Sequence, residues 1–179
     1  MTDVHASEPG HLRGEKVVLR RTVPADGDSL RTLLATPEVG AWWGPVPDGF
    51  PMQDDPDATR WSILLEDGIA GLIQFGEEPE PDYRHAWIDV FVDPARHSGG
   101  LGTDAVTTLC RHLVEERGHH RITIDPAAAN ATAIRCYEKA GFRPVGVMRS
   151  AWRDPAALAW RDVLLMELVV LPAAAQRER

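Results

Sequence analysis

The chain has 179 residues, of which 44% are hydrophobic and 26% charged, with a formal net charge of −8. These values are typical of a single soluble domain, and the excess of acids disfavours nucleic acid or an anionic membrane as a partner. A cationic small-molecule substrate is favoured instead, although acidity alone also serves solubility. No apolar run is long enough to span a bilayer, no signal peptide is recognisable, and two cysteines make no disulfide framework, so the sequence predicts a cytoplasmic protein.

Turn signals divide the first half of the chain into short elements. The predicted elements are a strand at 16–21, a helix at 24–36, a loop or broken helix at 37–57, and strands at 61–66, 69–75 and 85–92. The helix is indicated by Leu30, Leu33 and Leu34, which recur on one face. The pair Asp67-Gly68 between two apolar runs is typical of a β-hairpin.

The second half of the chain changes to a helical period. The predicted elements are a helix at 101–114, a strand at 121–124, a helix at 130–140, and strands at 142–148 and 160–168. Asn130 can cap the second helix, and Gly118 and Gly141 lie where C-terminal caps are expected. This order predicts an α+β fold with a mixed, mostly antiparallel sheet of six or seven strands and helices on both faces. The predicted boundaries are a disordered or extended tail at 1–14, the domain at 15–170 and a C-terminal tail at 171–179.

A glycine-rich turn, His97-Ser98-Gly99-Gly100-Leu101-Gly102-Thr103, joins the strand that ends at Val92 to the first of these helices. Unpaired N–H groups and the dipole of a helix N-terminus attract anions, and glycine allows a ligand to approach the backbone closely. The turn therefore predicts a pyrophosphate site, although an ordinary strand-to-helix connection explains it equally well. Its glycine spacing matches neither a nucleotide P-loop nor a dinucleotide fingerprint.

A second segment, Asn130-Ala-Thr-Ala-Ile-Arg-Cys-Tyr-Glu-Lys-Ala-Gly-Phe142, is more specific. Together with the glycine turn, Trp42-Trp43-Gly44 and Trp87-Ile88-Asp89, it resembles the GCN5-related N-acetyltransferase (GNAT) superfamily, and in particular its aminoglycoside 6′-N-acetyltransferases. The resemblance spans roughly residues 15–170. It implies the GNAT fold, with a central parallel pair of strands that parts where coenzyme A enters, and acetyl-coenzyme A as co-substrate. One departure is His97, where the superfamily usually has Arg or Gln.

The resemblance also implies two catalytic side chains. The hydroxyl of Tyr137 is expected at the sulfur of coenzyme A, where it acts as an acid towards the departing thiolate. Asp89, an acid in an otherwise apolar strand, is expected to accept the proton of the amine or to anchor the ammonium. The residues themselves leave two alternatives open: a tyrosine packed on the sheet and a strand aspartate in solvent.

Further residues are expected to bind the two substrates. Those implied for acetyl-coenzyme A are Phe91, Val92, His97, Gly99, Gly100, Leu101, Gly102, Thr103, Asn130 and Tyr137. Those implied for the acceptor amine are Trp42, Trp43, Asp89 and Asp125. Asp125 equally suits the turn before Pro126, and at least one of the two tryptophans is expected to pack in the core.

Other polar and sulfur-bearing residues have weaker interpretations. The acidic turn at 77–82 is more typical of a solvated loop than of a cation-binding cleft. Cys110 and Cys136 are interpreted as packing residues. The histidines show no metal-ligand spacing, so no metal is predicted.

The sequence therefore predicts acetyl-coenzyme A-dependent N-acetylation of an aminoglycoside at its 6′-amine, by a monomer or a homodimer. Two alternatives stay open. The acceptor of the same chemistry could be a protein N-terminus, a lysine or another small amine. The chain could also bind coenzyme A or a drug without turnover, although a pure binder needs neither Asp89 nor Tyr137.

Overall fold

The computed structural model describes residues 9–154 and 157–171, so most of both predicted tails lies outside the described residues. In this part of the chain eight strands form one sheet, in the order β1-β2-β3-β4-β5-β6-β8-β7. The strands are β1 His11–Arg13, β2 Val18–Arg21, β3 Thr59–Leu65, β4 Gly68–Glu78, β5 His85–Val92, β6 Arg121–Ile124, β7 Arg143–Asp154 and β8 Ala159–Val169. The α-helices are α1 Gly27–Leu34, α2 Pro37–Trp43, α3 Leu101–Glu115 and α4 Ala131–Lys139.

All of the predicted strands are present, and β1 is an additional one. It lies in the segment predicted as a disordered or extended tail, and its His11 pairs with Arg20 of β2. Only Leu12 of its three residues is buried. So short a strand gives no hydrophobic period that would distinguish it from a tail, and for this reason the sheet has one strand more than the six or seven predicted.

The region before the first hairpin contains more helix than predicted. A 3-10 turn, Pro24–Asp26, precedes α1, and α2 occupies the start of the segment predicted as a loop or broken helix. Pro37 suits the first position of α2, because its ring fixes a helical φ and the missing N–H would be unpaired there anyway. Val39 is the buried residue of α2. With one buried residue in seven, the helix shows no periodic pattern in the sequence.

Helices cover both faces of the sheet, as predicted. On one face α3 and α4 pack in a core that contains Ile73 and Ile88, and on the other face α1 and α2 pack in a core that contains Leu72 and Phe91. Leu72 and Ile73 are neighbours on β4, and strand alternation directs them to opposite faces. None of the described helices has the length and apolar character needed to cross a membrane.

The sheet parts between β5 and β6, which run parallel. Their ladder comprises the pairs Ala86↔Ile122 and Trp87↔Thr123. Beyond these pairs β5 follows β4, whereas β6 follows β8. The connection after β6 is also held by β8, because the N–H of Leu164 donates to the carbonyl oxygen of Pro126 at 2.8 Å. The two strands are thus bound to different neighbours, and a cleft opens between them where the sequence analysis predicted one.

Gly71 determines how closely β4 approaches β5 beside this cleft. A Cβ atom at Gly71 would lie 2.2 Å from the carbonyl oxygen of Phe91, far inside van der Waals contact. We expect Gly71→Ala to lower the free energy of unfolding by about 3 kcal/mol, because the backbone must move to admit the methyl group. Urea denaturation followed by tryptophan fluorescence measures the change. The control is Gly146→Ala in β7, where an added Cβ meets nothing within 4 Å; equal stability of the two variants would contradict the prediction.

Candidate active site

The cleft between β5 and β6 encloses about 950 Å³ and gathers most of the predicted site residues. Those on its wall are Trp42, Trp43, Asp89, Phe91, Val92, Gly99, Gly100, Gly102, Thr103, Asp125, Asn130 and Tyr137. The side chain of Leu101 is instead part of the core beneath α3, because it belongs to the apolar stripe of that helix. Only the backbone of Leu101 can therefore serve a ligand. The side chain of His97 lies outside the described residues.

The glycine loop offers backbone N–H groups to the cleft. Gly100 has a φ of 74°, a left-handed conformation that glycine adopts without strain, and α3 begins at the next residue. The N–H of Asp104 donates to the carbonyl oxygen of Gly100 at 3.1 Å, which starts the helical ladder. The N–H groups of residues 101–103 precede that ladder and are available to an anion. At the start of the loop, Asp93 accepts a hydrogen bond from the N–H of Ala95 at 3.0 Å and so fixes the turn.

Two carboxylates approach the cleft from the parted strands. Asp89 lies in β5, and Asp125 directly follows β6. Burial raises the pKa of Asp89 to about 7, and the negative charge of Asp125 contributes to the rise. Burial also raises the pKa of Asp125. A backbone hydrogen bond partly offsets the cost of ionising Asp125, whereas every influence on Asp89 raises its pKa, so Asp89 is expected to exchange its proton near neutral pH.

Tyr137 reaches the cleft from α4. Asn130 caps this helix, since its side-chain oxygen accepts a hydrogen bond from the N–H of Ala133 at 3.1 Å. The ring of Tyr137 is buried, with its centroid 6.3 Å from that of Phe142. Burial raises the pKa of the Tyr137 hydroxyl well above its usual range, and the charge of Asp89 adds to the rise. The phenol therefore keeps its proton at neutral pH and can donate a hydrogen bond.

The two tryptophans of α2 divide between the core and the cleft. Trp43 packs edge-on against Phe91, with ring centroids 4.9 Å apart. Trp42 is 42% exposed and forms part of the cleft wall. This division agrees with the expectation that at least one tryptophan packs in the core. Because the side chain of Phe91 is itself buried, only its backbone can bind a ligand.

Several cleft residues were not recognised in the sequence. Among the unassigned ones are Lys16, Glu38, Arg135, Cys136 and Lys139. Cys136, interpreted as a packing residue, is half-buried on the cleft wall with its Sγ 3.3 Å from Thr103 Oγ1. Glu38 lies four residues before Trp42, so recognition of α2 would have placed both on one helix face. Lys16 is 83 residues from the loop that it contacts, and no local pattern indicates that proximity.

Two further charged groups, Arg96 and Glu77, have ion-pair partners outside the cleft. The guanidinium of Arg96 binds both carboxylate oxygens of Asp67, at 3.0 and 2.6 Å. Glu77 of the acidic turn binds Arg117 and His119 towards the far end of β4 and does not line the cleft. Within residues 9–154 and 157–171, no three His, Cys, Asp or Glu side chains form a group that could hold a metal ion.

The raised pKa of Asp89 has a consequence for stability. In the unfolded chain the pKa returns to about 4, so the folded state loses stability as the pH rises from about 4 to about 7. We expect Asp89→Asn to be more stable to urea than the parent at pH 8, by a margin that shrinks as the pH falls and disappears below about pH 4. Asp82→Asn, the same change on an exposed turn, should leave stability nearly unaltered at every pH. A margin for Asp89→Asn that does not depend on pH would contradict the prediction.

Comparison with known proteins agrees with this architecture. The chain is 41% identical over 157 residues to the aminoglycoside N(6')-acetyltransferase type 1 of Klebsiella pneumoniae, a match that covers 75% of this chain and 77% of that protein. It is also 41% identical over 88 residues to a kanamycin resistance protein of Rhizobium radiobacter, covering 49% of this chain and 76% of that one.

Solved structures share the fold. The structure of AAC(6')-Ib in complex with paromomycin and acetyl-coenzyme A superimposes with a TM-score of 0.70 at 25% identity, covering 92% of this chain and 98% of that one. A GNAT-family acetyltransferase of Bacillus anthracis gives a TM-score of 0.75 at 18% identity, with 89% and 98% covered, and so supports the fold alone. The family model for the acetyltransferase (GNAT) family matches residues 28–142. This chain belongs to the GNAT family and is an acetyl-coenzyme A-dependent N-acetyltransferase.

Proposed function

We propose that this acetyltransferase acts on the 6′-amine of an aminoglycoside, with Asp89 as base or amine anchor and Tyr137 as acid. The observation that carries the proposal is the convergence of acids on the cleft: Glu38 from α2, Asp89 from β5 and Asp125 after β6. An aminoglycoside is a polycation, and carboxylates in a recessed site attract and orient ammonium groups. Trp42 adds an exposed indole face, to which a cationic sugar can bind. The 41% identity to an enzyme named for this activity supports the same acceptor.

The cleft also fits acetyl-coenzyme A, which supplies the acetyl thioester. The N–H groups of residues 101–103 and the dipole of α3 suit its diphosphate. A Cβ at Gly102 would lie 3.3 Å from the Sγ of Cys136, so the start of α3 packs closely against α4 beside the cleft. The backbone of 91–93, beyond the end of the β5–β6 ladder, suits the pantetheine arm, which can bind as an added strand would.

Asp89 is suited to the first proton transfer. An aminoglycoside amine arrives mostly as an ammonium, and it must lose a proton before its nitrogen can attack the acetyl carbon. A carboxylate with a pKa of about 7 matches that task better than an exposed carboxylate does, since a base is most effective when its pKa lies near the working pH. Asp89 binds the ammonium in its ionised form and takes the proton directly or through water. The C–N bond forms as the C–S bond breaks.

Tyr137 is suited to the second proton transfer. The departing thiolate carries the electron pair of the C–S bond and is stabilised by a hydrogen bond or a proton. The hydroxyl of Tyr137 is protonated at neutral pH, because burial and nearby acids raise its pKa. Net proton flow then runs from the amine to Asp89 and from Tyr137 to sulfur. Both groups return to their starting state by exchange with solvent.

Kinetics of single variants test these roles. We expect Tyr137→Phe to lower kcat by about 100-fold while the Kd for coenzyme A stays unchanged, because a donor to the thiolate acts in the transition state. Tyr83→Phe is the matched control, since Tyr83 is 75% exposed and lies outside the cleft.

Asp89→Asn should lower kcat/KM by about 100-fold and remove the acid limb of its pH profile, which in the parent has a midpoint of about 7. Asp125→Asn should move that limb to lower pH, since it removes a charge that raises the pKa of Asp89. Unchanged limbs in both variants would contradict the assignment of Asp89.

The choice of acceptor tests the function itself. We expect thiol release from acetyl-coenzyme A with kanamycin and with neomycin, but not with paromomycin, which differs from neomycin in carrying a hydroxyl in place of the 6′-amine. Mass spectrometry of the product should show a single added acetyl group. Equal rates with neomycin and paromomycin would exclude the 6′-amine as the target. Turnover with peptides or linear polyamines alone would assign the same chemistry to another amine, and coenzyme A binding without any turnover would favour the non-catalytic alternative.

A further inference from the structure

We propose that Lys16 binds the diphosphate of coenzyme A and that Asp104 positions it for this role. The inference rests on the diphosphate site proposed above for the glycine loop. It adds a side chain from a distant part of the chain, the turn between β1 and β2, to a site otherwise built from backbone N–H groups. The closing experiment measures binding of coenzyme A directly, so its outcome does not depend on which amine is the acceptor.

Lys16 lies against the glycine loop at the edge of the cleft. Its ammonium donates a hydrogen bond to the carbonyl oxygen of Gly99 at 2.7 Å. An added Cβ at Gly100 would lie 3.1 Å from the same Nζ atom, so the ammonium lies directly beside that residue. A lysine ammonium has three donors. One is used by Gly99, and the others are available to an anion bound to the N–H groups that follow.

Asp104 holds the turn that carries Lys16. Its carboxylate accepts hydrogen bonds from three backbone N–H groups, those of Glu15 at 3.0 Å, Lys16 at 2.7 Å and Val17 at 3.0 Å. Asp104 belongs to the first turn of α3, and therefore to the helix whose N-terminus faces the loop. One side chain thus fixes the position of Lys16 relative to the proposed phosphate site. The three N–H donors also compensate its negative charge, which would otherwise oppose a phosphate nearby.

The other cations of the cleft are less suited to the diphosphate. Arg96 lies in the loop segment, but its guanidinium is paired with Asp67 and Asp93. Arg135 and Lys139 line the cleft from α4, and among the described residues neither forms a hydrogen bond with the glycine loop. Lys16 contacts the loop and, within the described part of the chain, forms no ion pair with a carboxylate. The geometry therefore assigns the diphosphate to Lys16 and leaves the 3′-phosphate of coenzyme A to other groups.

Calorimetric titration with coenzyme A and with 3′-dephospho-coenzyme A tests the assignment. We expect Lys16→Met to raise the Kd for both ligands by about tenfold, because both contain the diphosphate and a charge-assisted hydrogen bond is lost. Lys16→Arg should recover most of the affinity. Pantetheine, which lacks the diphosphate, should bind the parent and Lys16→Met equally. Arg149→Met, which removes a cation from an exposed strand outside the cleft, is the control for net charge.

Asp104→Asn tests the positioning role. It should weaken binding of both nucleotide ligands in the parent but have little further effect in the Lys16→Met background, since its contribution is made through Lys16.

A loss of affinity for coenzyme A alone would assign Lys16 to the 3′-phosphate and overturn the proposal. An equal loss for pantetheine, an unchanged Kd in Lys16→Met, or additive effects in the double variant would overturn it as well. If the parent itself binds neither nucleotide ligand, the glycine-loop site fails, and this outcome is distinct from a failure confined to Lys16.

Discussion

The site depends on the place where β5 stops pairing with β6. Two residue pairs hold these parallel strands together, and after Trp87 each strand is bound by a different antiparallel neighbour. Pro126 helps to end the pairing, because it has no N–H to donate and its carbonyl oxygen is bound by Leu164 of β8. The divergence of β5 and β6 forms the cleft and also places Asp89 and Asp125 on its walls. Had the ladder continued, both acids would face a closed sheet.

The two cleft acids differ from the other buried acids of the chain in having no cationic partner among the described residues. Burial raises the pKa of both Asp89 and Asp125, and the charge of Asp125 adds to the rise at Asp89. Elsewhere the chain compensates buried acids: Asp26 binds Arg20 and Ser62, and Asp54 forms a buried ion pair with Arg60. The two cleft acids have no such cation among the described residues. Ionising these buried carboxylates without a cationic partner costs free energy in the unbound protein. The ammonium of a cationic substrate would supply the missing positive charge, so relief of this cost would contribute to the binding free energy.

Sequence patterns predicted the elements that depend on residues close together in the chain. The hairpin at Asp67-Gly68, the strands at 85–92 and 121–124 and the Asn130 cap all depend on neighbours within a few residues, and each is found where it was expected. Strand β1 and helix α2 were underestimated, because one buried residue in a short segment gives no period. Contacts between distant segments were not predictable at all. The hydrogen bonds that the N–H groups of residues 15–17 donate to Asp104 span almost 90 positions, and they exist only because β2 and α3 pack in one core.

The distribution of charge in the cleft explains how an acidic protein can bind an anionic co-substrate. The net charge of −8 favours cationic acceptors at long range, but by itself it would repel the phosphates of coenzyme A. The chain has two lysines, Lys16 and Lys139, and both line the cleft. Together with Arg135 and the dipole of α3, they place positive charge on the walls of the cleft despite the negative total charge. The cleft thus has acids on α2, on β5 and after β6, and cations on α4 and the β1–β2 turn. This separation would suit a cationic acceptor and an anionic co-substrate in one cleft. The bound phosphates and a cationic acceptor would strengthen each other's binding, because coupling between two sites is reciprocal.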